Sequence, residues 1–503
     1  MKNFYYDDGT KLNEYLARAN ELKKSILNSP NTEFDIKGTK YYISTDGNDA
    51  NDGKSESAPI ATLERLEALE LMPGDAVYFR RGDTWRGLVT LKEGITYTAY
   101  GEGEKPRIFG SLNGVGKEKW SKTDKENVWV YSELIPADRD IGNICINEGK
   151  CWGIKVSRNG INRAPDSKVV FNGIEKFYSG GHDFFGYQDL KNNLEFFHDW
   201  RDQKLYFYCT YGNPGEYFYH MEIARKRHVM SGCGNNVTID NIAVMHAGSH
   251  GIAGFAGKLI NFTVQNCYLA WIGGSIQFET ENHVIVRLGN AIEKYGSTGC
   301  DGYYIRNCYS YQIYDCAYTV QYQGDADTRD DCIFKNVEYL NNVAEKCNTG
   351  LEIWQRNTKP ENNKRFVIEN MHLHDNYTLY AGYGWGNQRP NKDGNFFYGE
   401  TAFNTTEYIN CSVERHYGLL SCCYALLVRN IAPDKYNFHD NVYFMEKGKR
   451  IGGVCENPGD GTGAVWQPDF NEESIAEFTR RGGEPGTEWY ILDKQNIDGY
   501  GLE

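Results

Sequence analysis

Three acidic residues stand in similar surroundings near the middle of the chain. Glu293 ends the phrase Gly-Asn-Ala-Ile-Glu, Asp315 lies in Tyr-Asp-Cys-Ala-Tyr-Thr-Val-Gln, and Glu352 lies in Gly-Leu-Glu-Ile-Trp. If the apolar neighbours point into a core, the two-residue period of a strand sends Glu293, Thr319 and Glu352 outward. On stacked strands, Glu293 and Glu352 would then be two strands apart, about 9 to 10 Å between backbones. Asp315 would stand at the turn that enters the middle strand.

Paired carboxyl groups of this kind suit hydrolysis of a glycosidic bond. One carboxylic acid protonates the leaving oxygen, while a carboxylate attacks the anomeric carbon or activates water. Repulsion between neighbouring carboxylates pushes their pKa values apart, so one can stay protonated near neutral pH. We predict Asp315 and Glu352 as the reacting pair, and Glu293 as an alternative nucleophile or a positioning group. The alternative is that the glutamates are ordinary solvated residues on the outside of a sheet.

Side chains that stack on sugar rings or bind hydroxyl groups surround the three acids in the sequence. His250 is a weaker candidate of the same kind. The predicted substrate-binding residues are Trp271, Gln277, His283, Arg287, Gln321, Trp354, Tyr383 and Trp385. No pair of His or Cys residues has metal-ligand spacing on one loop, and no phosphate-binding or dinucleotide-binding motif occurs. The sequence therefore predicts neither a metal site nor a cofactor.

A loose repeat supplies the strands that would position these residues. A β-rich triplet, a polar residue, an asparagine and a small or sulfur-bearing apolar residue recur at intervals of 25 to 41 residues. The asparagines of the six copies are Asn241, Asn266, Asn307, Asn336, Asn370 and Asn410. Irregular intervals argue against a helical repeat and favour a parallel β-helix with loops of variable length. We expect the six asparagines to line up at one turn, where Asn tolerates left-handed backbone, with Cys267, Cys308 and Cys411 in a buried row beside them.

The N-terminal part of the chain resembles a known family. After the strand Tyr42-Ile43-Ser44 come an acidic turn at residues 46–53, a helix opened by Thr62, then Pro-Gly-Asp, an apolar strand and Gly-Asp-Thr-Trp85. This order is similar to the N-terminal cap of pectate-lyase-like enzymes, which are right-handed parallel β-helices. The acidic turn lacks the full pattern of a calcium loop, so a plain turn is favoured.

Residues 195–224 and the three acidic phrases are similar to glycoside hydrolases of that fold, and the β-xylosidase and xylanase/fucosidase groups resemble this chain most. The resemblance implies a glycoside hydrolase that acts on a plant-type oligosaccharide, with Glu293, Asp315 and Glu352 as its active-site acids. The segment Asn193-Leu-Glu-Phe196 departs from the usual Gly-Asp-Phe start of the insert, which leaves its substrate contacts open.

The predicted fold is all-β: a right-handed parallel β-helix with an inserted β subdomain and an N-terminal helix. The predicted units are an N-terminal helical segment at 1–38, a cap with the first coils at 39–116, an inserted subdomain at 117–229, the main coils at 230–445, and a C-terminal cap or tail at 446–503. The tail is also a candidate for mediating homo-oligomerisation.

Composition narrows the class of partner. The net charge of -14 disfavours nucleic acid and polyuronate as partners, and no apolar run approaches the length of a membrane span. The N-terminus lacks the pattern of a secretion signal, so the 14 cysteines are expected to be reduced and buried in a cytoplasmic protein. The partner that we expect is an oligosaccharide.

Two alternatives to a hydrolase remain open at this stage. A polysaccharide lyase or uronate epimerase could share the fold, although it needs a basic residue and a cation where these strands offer glutamates. A non-catalytic carbohydrate-binding β-helix is the second alternative, although such proteins are usually exposed to the outside, where this many reduced cysteines would be a liability.

Overall fold

The structure is a computed structural model of the 503-residue chain. It describes residues 3–156, 167–171, 174–178, 186–255, 257–279, 285–324, 331–357, 365–388, 394–400, 406–429, 433–457, 462–466, 468–480 and 486–492.

Three long sheets, here called A, B and C, make up most of the described chain. Sheet A has eleven strands, in the order Phe4–Asp7, Glu488–Leu492, Val442–Glu446, Tyr417–Ser421, Tyr377–Ala381, Val343–Glu345, Tyr309–Ile313, Tyr268–Ile272, Ala243–Met245, Arg107–Phe109 and Thr84–Arg86. Sheet B has ten strands, in the order Lys40–Ile43, Ala76–Arg80, Thr96–Tyr100, Thr238–Asp240, Leu259–Gln265, Cys300–Arg306, Cys332–Leu340, Phe366–His374, Thr406–Glu414 and Phe438–His439. Sheet C has ten strands, in the order Thr462–Trp466, Arg450–Asn457, Tyr424–Arg429, Asn395–Glu400, Thr349–Asn357, Cys316–Gly324, Ile292–Lys294, Ile252–Phe255, Met230–Gly232 and Val89–Leu91.

The chain visits the three sheets in a fixed cycle. One circuit runs through Cys300–Arg306 in sheet B, Tyr309–Ile313 in sheet A and Cys316–Gly324 in sheet C, and returns to sheet B at Cys332–Leu340. Neighbouring strands in the sheets are parallel, apart from the antiparallel pair at the end of sheet C. The result is an all-β, solenoid-like fold, as the irregular repeat predicted.

The apolar core lies between the sheets. Each circuit contributes side chains such as Ile292, Tyr318 and Leu351, which are fully buried and stand opposite one another on consecutive strands of sheet C. Because side chains alternate along a strand, their neighbours in sequence face away from this core.

The six predicted asparagines all have left-handed backbone, with φ between 50° and 58°. They form two rows, however, and the prediction of a single row is wrong. The residues Asn241, Asn266 and Asn307 follow strands of sheet B, whereas Asn336, Asn370 and Asn410 lie inside later strands of that sheet. In the second row, the Asn370 amide donates to Asn336 Oδ1 (3.2 Å) and the Asn410 amide to Asn370 Oδ1 (2.9 Å). Both bends need a left-handed residue, so similar phrases occur at two different places.

The cysteine row is shorter than predicted. Ten of the thirteen described cysteines that are free thiols are buried, including Cys267, Cys308 and Cys411. Cys267 and Cys308 share a hydrogen bond between their thiols, whereas Cys411 stands opposite Met371 in sheet B. The same two-row arrangement of the repeat explains why Cys411 falls outside the row.

An N-terminal helix, predicted within residues 1–38, covers part of sheet A. The helix Thr10–Leu27 buries Leu12, Ala19 and Ile26 against tyrosines and leucines of the sheet. The other α-helices are Leu63–Glu67, Pro214–Tyr217 and Glu472–Arg480. Thr62 caps Leu63–Glu67 by accepting the backbone N–H of Arg65 (3.0 Å). Short 3-10 helices are Lys117–Lys119, Ala137–Arg139, Asn147–Gly149, Tyr187–Asp189, Trp385–Gln388 and Pro433–Tyr436.

Two smaller sheets interrupt the cycle, and here they are called the insert. One has the strand order Ile154–Lys155, Glu195–Asp199, Lys204–Tyr208, Val128–Tyr131 and Trp120–Lys122, and the other has Cys151–Trp152, Ile141–Ile146, Met221–Arg225 and Ser111–Asn113. Two hairpins, Ser167–Phe171 with Ile174–Tyr178 and Ser275–Glu279 with Ile285–Leu288, complete the strands. Val89–Leu91 and Met230–Gly232 are adjacent in sheet C although the insert separates them in sequence. The boundaries 117–229 for this subdomain remain a prediction.

Among the described residues, no helix is both long and apolar enough to cross a membrane.

Candidate active site

The two glutamates of the acidic phrases lie on the outer face of sheet C. Glu293 stands opposite Thr319, Thr319 opposite Glu352, and Glu352 opposite Tyr398 on four consecutive strands. Glu293 and Glu352 are therefore two strands apart, which corresponds to about 10 Å between their backbones. This is the arrangement that the alternation of inward and outward residues predicted.

Asp315 lies at the turn between sheets A and C. Its backbone N–H donates to the Gly289 carbonyl (3.1 Å), and its carbonyl accepts the N–H of Thr349 (3.0 Å). Gly289 in turn packs closely against the preceding coil, since a Cβ on Gly289 would come 2.1 Å from the Cα of Gly273. These contacts fix Asp315 at the entrance to the strand that carries Thr319.

All three acids line one cavity of about 640 Å³. Its wall is formed by sheet C, by the turns that enter it, and by the hairpin of Ser275–Glu279 and Ile285–Leu288, here called the cavity hairpin. The lining residues are His228, His250, Gly254, Gln277, Phe278, Leu288, Asn290, Glu293, Tyr295, Asp315, Gln321, Gln323, Asn348, Thr349, Glu352, Trp354, Asn395 and Tyr398. The volume falls in the range typical of small-ligand sites.

Glu352 is the more strongly perturbed of the two glutamates. Its side chain accepts hydrogen bonds from the Thr319 hydroxyl (2.7 Å) and from the Gln321 amide. Burial and then the negative charge of Asp315 raise the pKa of Glu352 to about 8, although the two hydrogen bonds work in the opposite direction. A carboxyl group with this pKa is mostly protonated at neutral pH, so Glu352 is able to donate a proton.

Glu293 has a second, distinct environment. The Asn290 amide donates to Glu293 Oε2, and His250 Nδ1 lies 3.1 Å from the same oxygen. Burial raises the pKa of Glu293 to about 7, while the hydrogen bond from Asn290 opposes the shift. Asn290 also holds the surrounding backbone, since its Oδ1 accepts the N–H of Cys316 (2.9 Å).

Two histidines form one side of the cavity near Glu293. The rings of His228 and His250 lie 5.2 Å apart between centroids. Burial lowers the pKa of each to about 4, so both are neutral at physiological pH. His250 Nδ1 accepts the backbone N–H of Asn290 (2.9 Å), which fixes its orientation.

Of the predicted substrate-binding residues, Gln277, Gln321 and Trp354 line the cavity, together with the weaker candidate His250. His283 lies outside the residues that the structure describes. The structure places the remaining four elsewhere.

Trp271 and Trp385 are buried in an apolar cluster beside Tyr314, with 3% and 1% of their surfaces exposed. Arg287 is buried too, and its Nε donates to the Gly274 carbonyl (2.6 Å). Tyr383 packs with the residues under the N-terminal helix. None of these four side chains lines the cavity.

Several lining residues were not among the predicted ones, namely His228, Asn290, Tyr295, Asn348, Thr349, Asn395 and Tyr398. Asn290 and Tyr398 had a usable signal, because Asn290 lies in the same phrase as Glu293 and Tyr398 is at the outward position after Glu352 in the sheet. His228 had none, because it reaches the cavity only where the chain returns from the insert.

The described side chains contain no group of three or more His, Cys, Asp or Glu residues placed to hold a metal ion.

Comparison with known proteins gives partial similarities. No family model matches the chain. A lacto-N-biosidase from Bifidobacterium longum subsp. longum is 33% identical over 102 residues, which is 18% of this chain and 6% of that protein. The chain thus spans only a small part of this curated relative.

Among solved structures, a complex of XylC with xylose is similar over 91% of this chain and 86% of its own, with 12% identity and a TM-score of 0.42. A GH136 lacto-N-biosidase from Eubacterium ramulus is similar over 96% of this chain and 71% of its own, with 12% identity and a TM-score of 0.38. A rhamnogalacturonan lyase is similar over 86% of this chain and 79% of its own, with 10% identity and a TM-score of 0.35. The proteins found are named as glycoside hydrolases and a polysaccharide lyase, or are bound to a sugar.

Proposed function

We propose that the chain is a glycoside hydrolase that cleaves a neutral oligosaccharide of plant type, on a right-handed parallel β-helix. The observation that carries the proposal is that Glu352, a buried acid whose pKa is raised to about 8, lines the same cavity as Asp315. The resemblance of the acidic phrases to β-helix glycosidases and the local identity to a lacto-N-biosidase support it.

In this mechanism Glu352 is the general acid. It gives its proton to the glycosidic oxygen as the bond from that oxygen to the anomeric carbon breaks. Thr319 and Gln321 hold the carboxyl group in place and stabilise the carboxylate that forms.

Asp315 provides the second carboxylate. It either attacks the anomeric carbon or removes a proton from the attacking water, which compensates the positive charge of the oxocarbenium-like transition state. Glu293, together with Asn290 and His250, holds a sugar hydroxyl group, and Trp354 offers an apolar face for a sugar ring.

The lining of the cavity disfavours a lyase or epimerase. Those reactions need a basic group and a cation that neutralises the uronate carboxylate. The described lining residues include no Lys or Arg, and the two histidines lie beside each other with Glu293 next to them. A uronate would therefore meet three acidic side chains and no positive charge.

The test is a screen of aryl glycosides, comprising xyloside, fucoside, arabinoside, galactoside and lacto-N-bioside, with the natural sequence and with Asp315→Asn. We expect release from at least one substrate and a loss of at least about 10³-fold in Asp315→Asn. Glu338→Gln is a matched control, because Glu338 is also outward-facing but lies on sheet B and pairs with Arg306. Absence of release from all five, with an unsaturated product from a polyuronate, would establish the lyase instead.

A further inference from the structure

The cavity hairpin is attached to the insert by a buried ion pair. Asp140, which directly precedes the insert strand Ile141–Ile146, has both carboxylate oxygens close to Lys155 Nζ, at 2.7 and 2.8 Å. The same carboxylate accepts the backbone N–H of Ile276 in the hairpin (2.7 Å). His198 Nδ1 lies 3.5 Å from Asp140 Oδ1, whereas Ile276 donates to Oδ2. Asp140, Lys155 and His198 are all buried.

Further contacts between the insert and the base of the hairpin are close. A Cβ on Gly142 would come 2.3 Å from the Gly273 carbonyl oxygen, so the insert strand passes directly over this segment. Asn143 donates to the carbonyls of Trp271 (3.3 Å) and Gly273 (3.2 Å). The insert therefore covers the peptide groups from which the hairpin starts.

The residues after Ile276 are the ones that reach the cavity. The two strands of the hairpin are out of regular register between Ile276 and Phe278, which places Gln277 at a bulge. Bulges of this kind redirect a side chain, and both Gln277 and Phe278 line the cavity. The hydrogen bond from Asp140 thus holds the backbone immediately before the bulge.

We propose that Asp140, charged and fixed by Lys155, is a positioning residue that sets the Gln277–Phe278 bulge against the bound sugar. This inference rests on the proposed function. It assigns to the insert a role in substrate binding that is exerted through the backbone of Ile276, without contact between the insert's ion pair and the substrate.

Steady-state kinetics test the inference. In Asp140→Asn the KM for the aryl glycoside is expected to rise about tenfold, with kcat changed less than about threefold, because the acids on sheet C are untouched. Gln277→Ala is expected to raise KM to a similar extent. The double variant is expected to be no worse than either single variant, since both act on the same contact.

The matched control is Glu222→Gln, which alters a buried carboxylate of the same insert that pairs with Arg86 away from the cavity. It is expected to leave KM unchanged and to be additive with Gln277→Ala. An unchanged KM in Asp140→Asn, full additivity of Asp140→Asn with Gln277→Ala, or an equal KM effect of Glu222→Gln would overturn the inference.

Hydrogen exchange of the unaltered protein gives a readout that depends neither on activity nor on the folding of a variant. In the unaltered protein the Ile276 amide, which donates to a buried carboxylate, is expected to exchange among the slowest in the hairpin. As a separate measurement, folded Asp140→Asn is expected to exchange faster at residues 275–279 and 285–288. Rapid exchange of Ile276 would contradict the inference even if the enzyme is active. If no glycoside is cleaved but exchange behaves as expected, the proposed function fails while the attachment of the hairpin by Asp140 stands.

Discussion

The buried carboxyl groups on sheet C and those in the insert have opposite ionisation behaviour. Burial raises the pKa of Glu352 to about 8 and that of Glu293 to about 7. Burial also raises the pKa values of Asp140 and Glu222 in the insert. Lys155 and His198 beside Asp140, and Arg86, His246 and Ser111 beside Glu222, together outweigh burial, so the pKa values of both acids fall below their usual range.

The difference shows what each region is built for. A buried carboxylate with a cation within hydrogen-bond distance is a structural element, because the charge is compensated in the folded state. A buried carboxyl group without such a cation opposes folding when it ionises, and that same property keeps a proton available for chemistry. The same type of side chain therefore marks a catalytic surface in one place and a tertiary anchor in the other.

The largest expected effect concerns catalysis on sheet C. Glu352→Gln is expected to lower kcat/KM about 10²- to 10⁴-fold for a substrate with a poor leaving group, because no proton can be donated to the glycosidic oxygen. With a dinitrophenyl leaving group, which needs little protonation, the loss is expected to be much smaller. Equal losses with both leaving groups would show that Glu352 is not the general acid.

Replacing a buried glutamate by glutamine in the insert is expected to lower stability and to leave catalysis unchanged. Glu222→Gln leaves Arg86 without its charged partner and is expected to lower the free energy of unfolding by about 2 to 4 kcal/mol, less than for a fully buried pair because the Arg86 side chain is 35% exposed. The kcat of the folded fraction is expected to stay at the original value. Chemical denaturation and kinetics at a temperature where the variant is folded measure the two quantities, and a loss of kcat would remove the distinction between the regions.

On sheet C, replacing the glutamate by glutamine in Glu352→Gln is expected to stabilise the protein at alkaline pH. The pKa of Glu352 is raised on folding from an ordinary value of 4.5, so its contribution to stability is complete below about pH 4.5 and is lost as the pH rises through about 8. Glu352→Gln removes this dependence, and at pH 9 the variant is expected to be about 2 to 4 kcal/mol more stable than the natural sequence. Denaturation at pH 5 and pH 9 measures the difference, and a less stable variant at pH 9 would contradict the raised pKa.

The smallest expected effect is a change in the pH profile. Activity is expected to fall as the pH rises through about 8, since Glu352 loses its proton there. The hydroxyl of Thr319 lowers that pKa by donating to the carboxylate, so Thr319→Val is expected to move the alkaline limb of kcat/KM upward by about one pH unit. If the alkaline limb does not move in Thr319→Val, that limb reports the titration of a group other than Glu352.

The sequence predicted the part of the site that depends on local geometry. Alternation of side chains along a strand is a property of the backbone itself, so the outward positions of Glu293, Thr319 and Glu352 follow from the apolar residues between them. The two asparagine rows show where this reasoning stops. The phrase around Asn370 is similar to that around Asn307, yet it lies at another bend, because both bends need a left-handed residue.

Only the tertiary structure decided which segments far apart in the sequence contact one another. Trp271 and Trp385 were predicted to bind sugar, but they pack together beneath the insert, and no local pattern distinguishes a tryptophan used for packing from one that faces a ligand. His228 joins the cavity because the insert returns the chain beside His250. The raised pKa of Glu352 depends on this same enclosure, since burial by distant segments, rather than the local sequence, removes water from the carboxyl group.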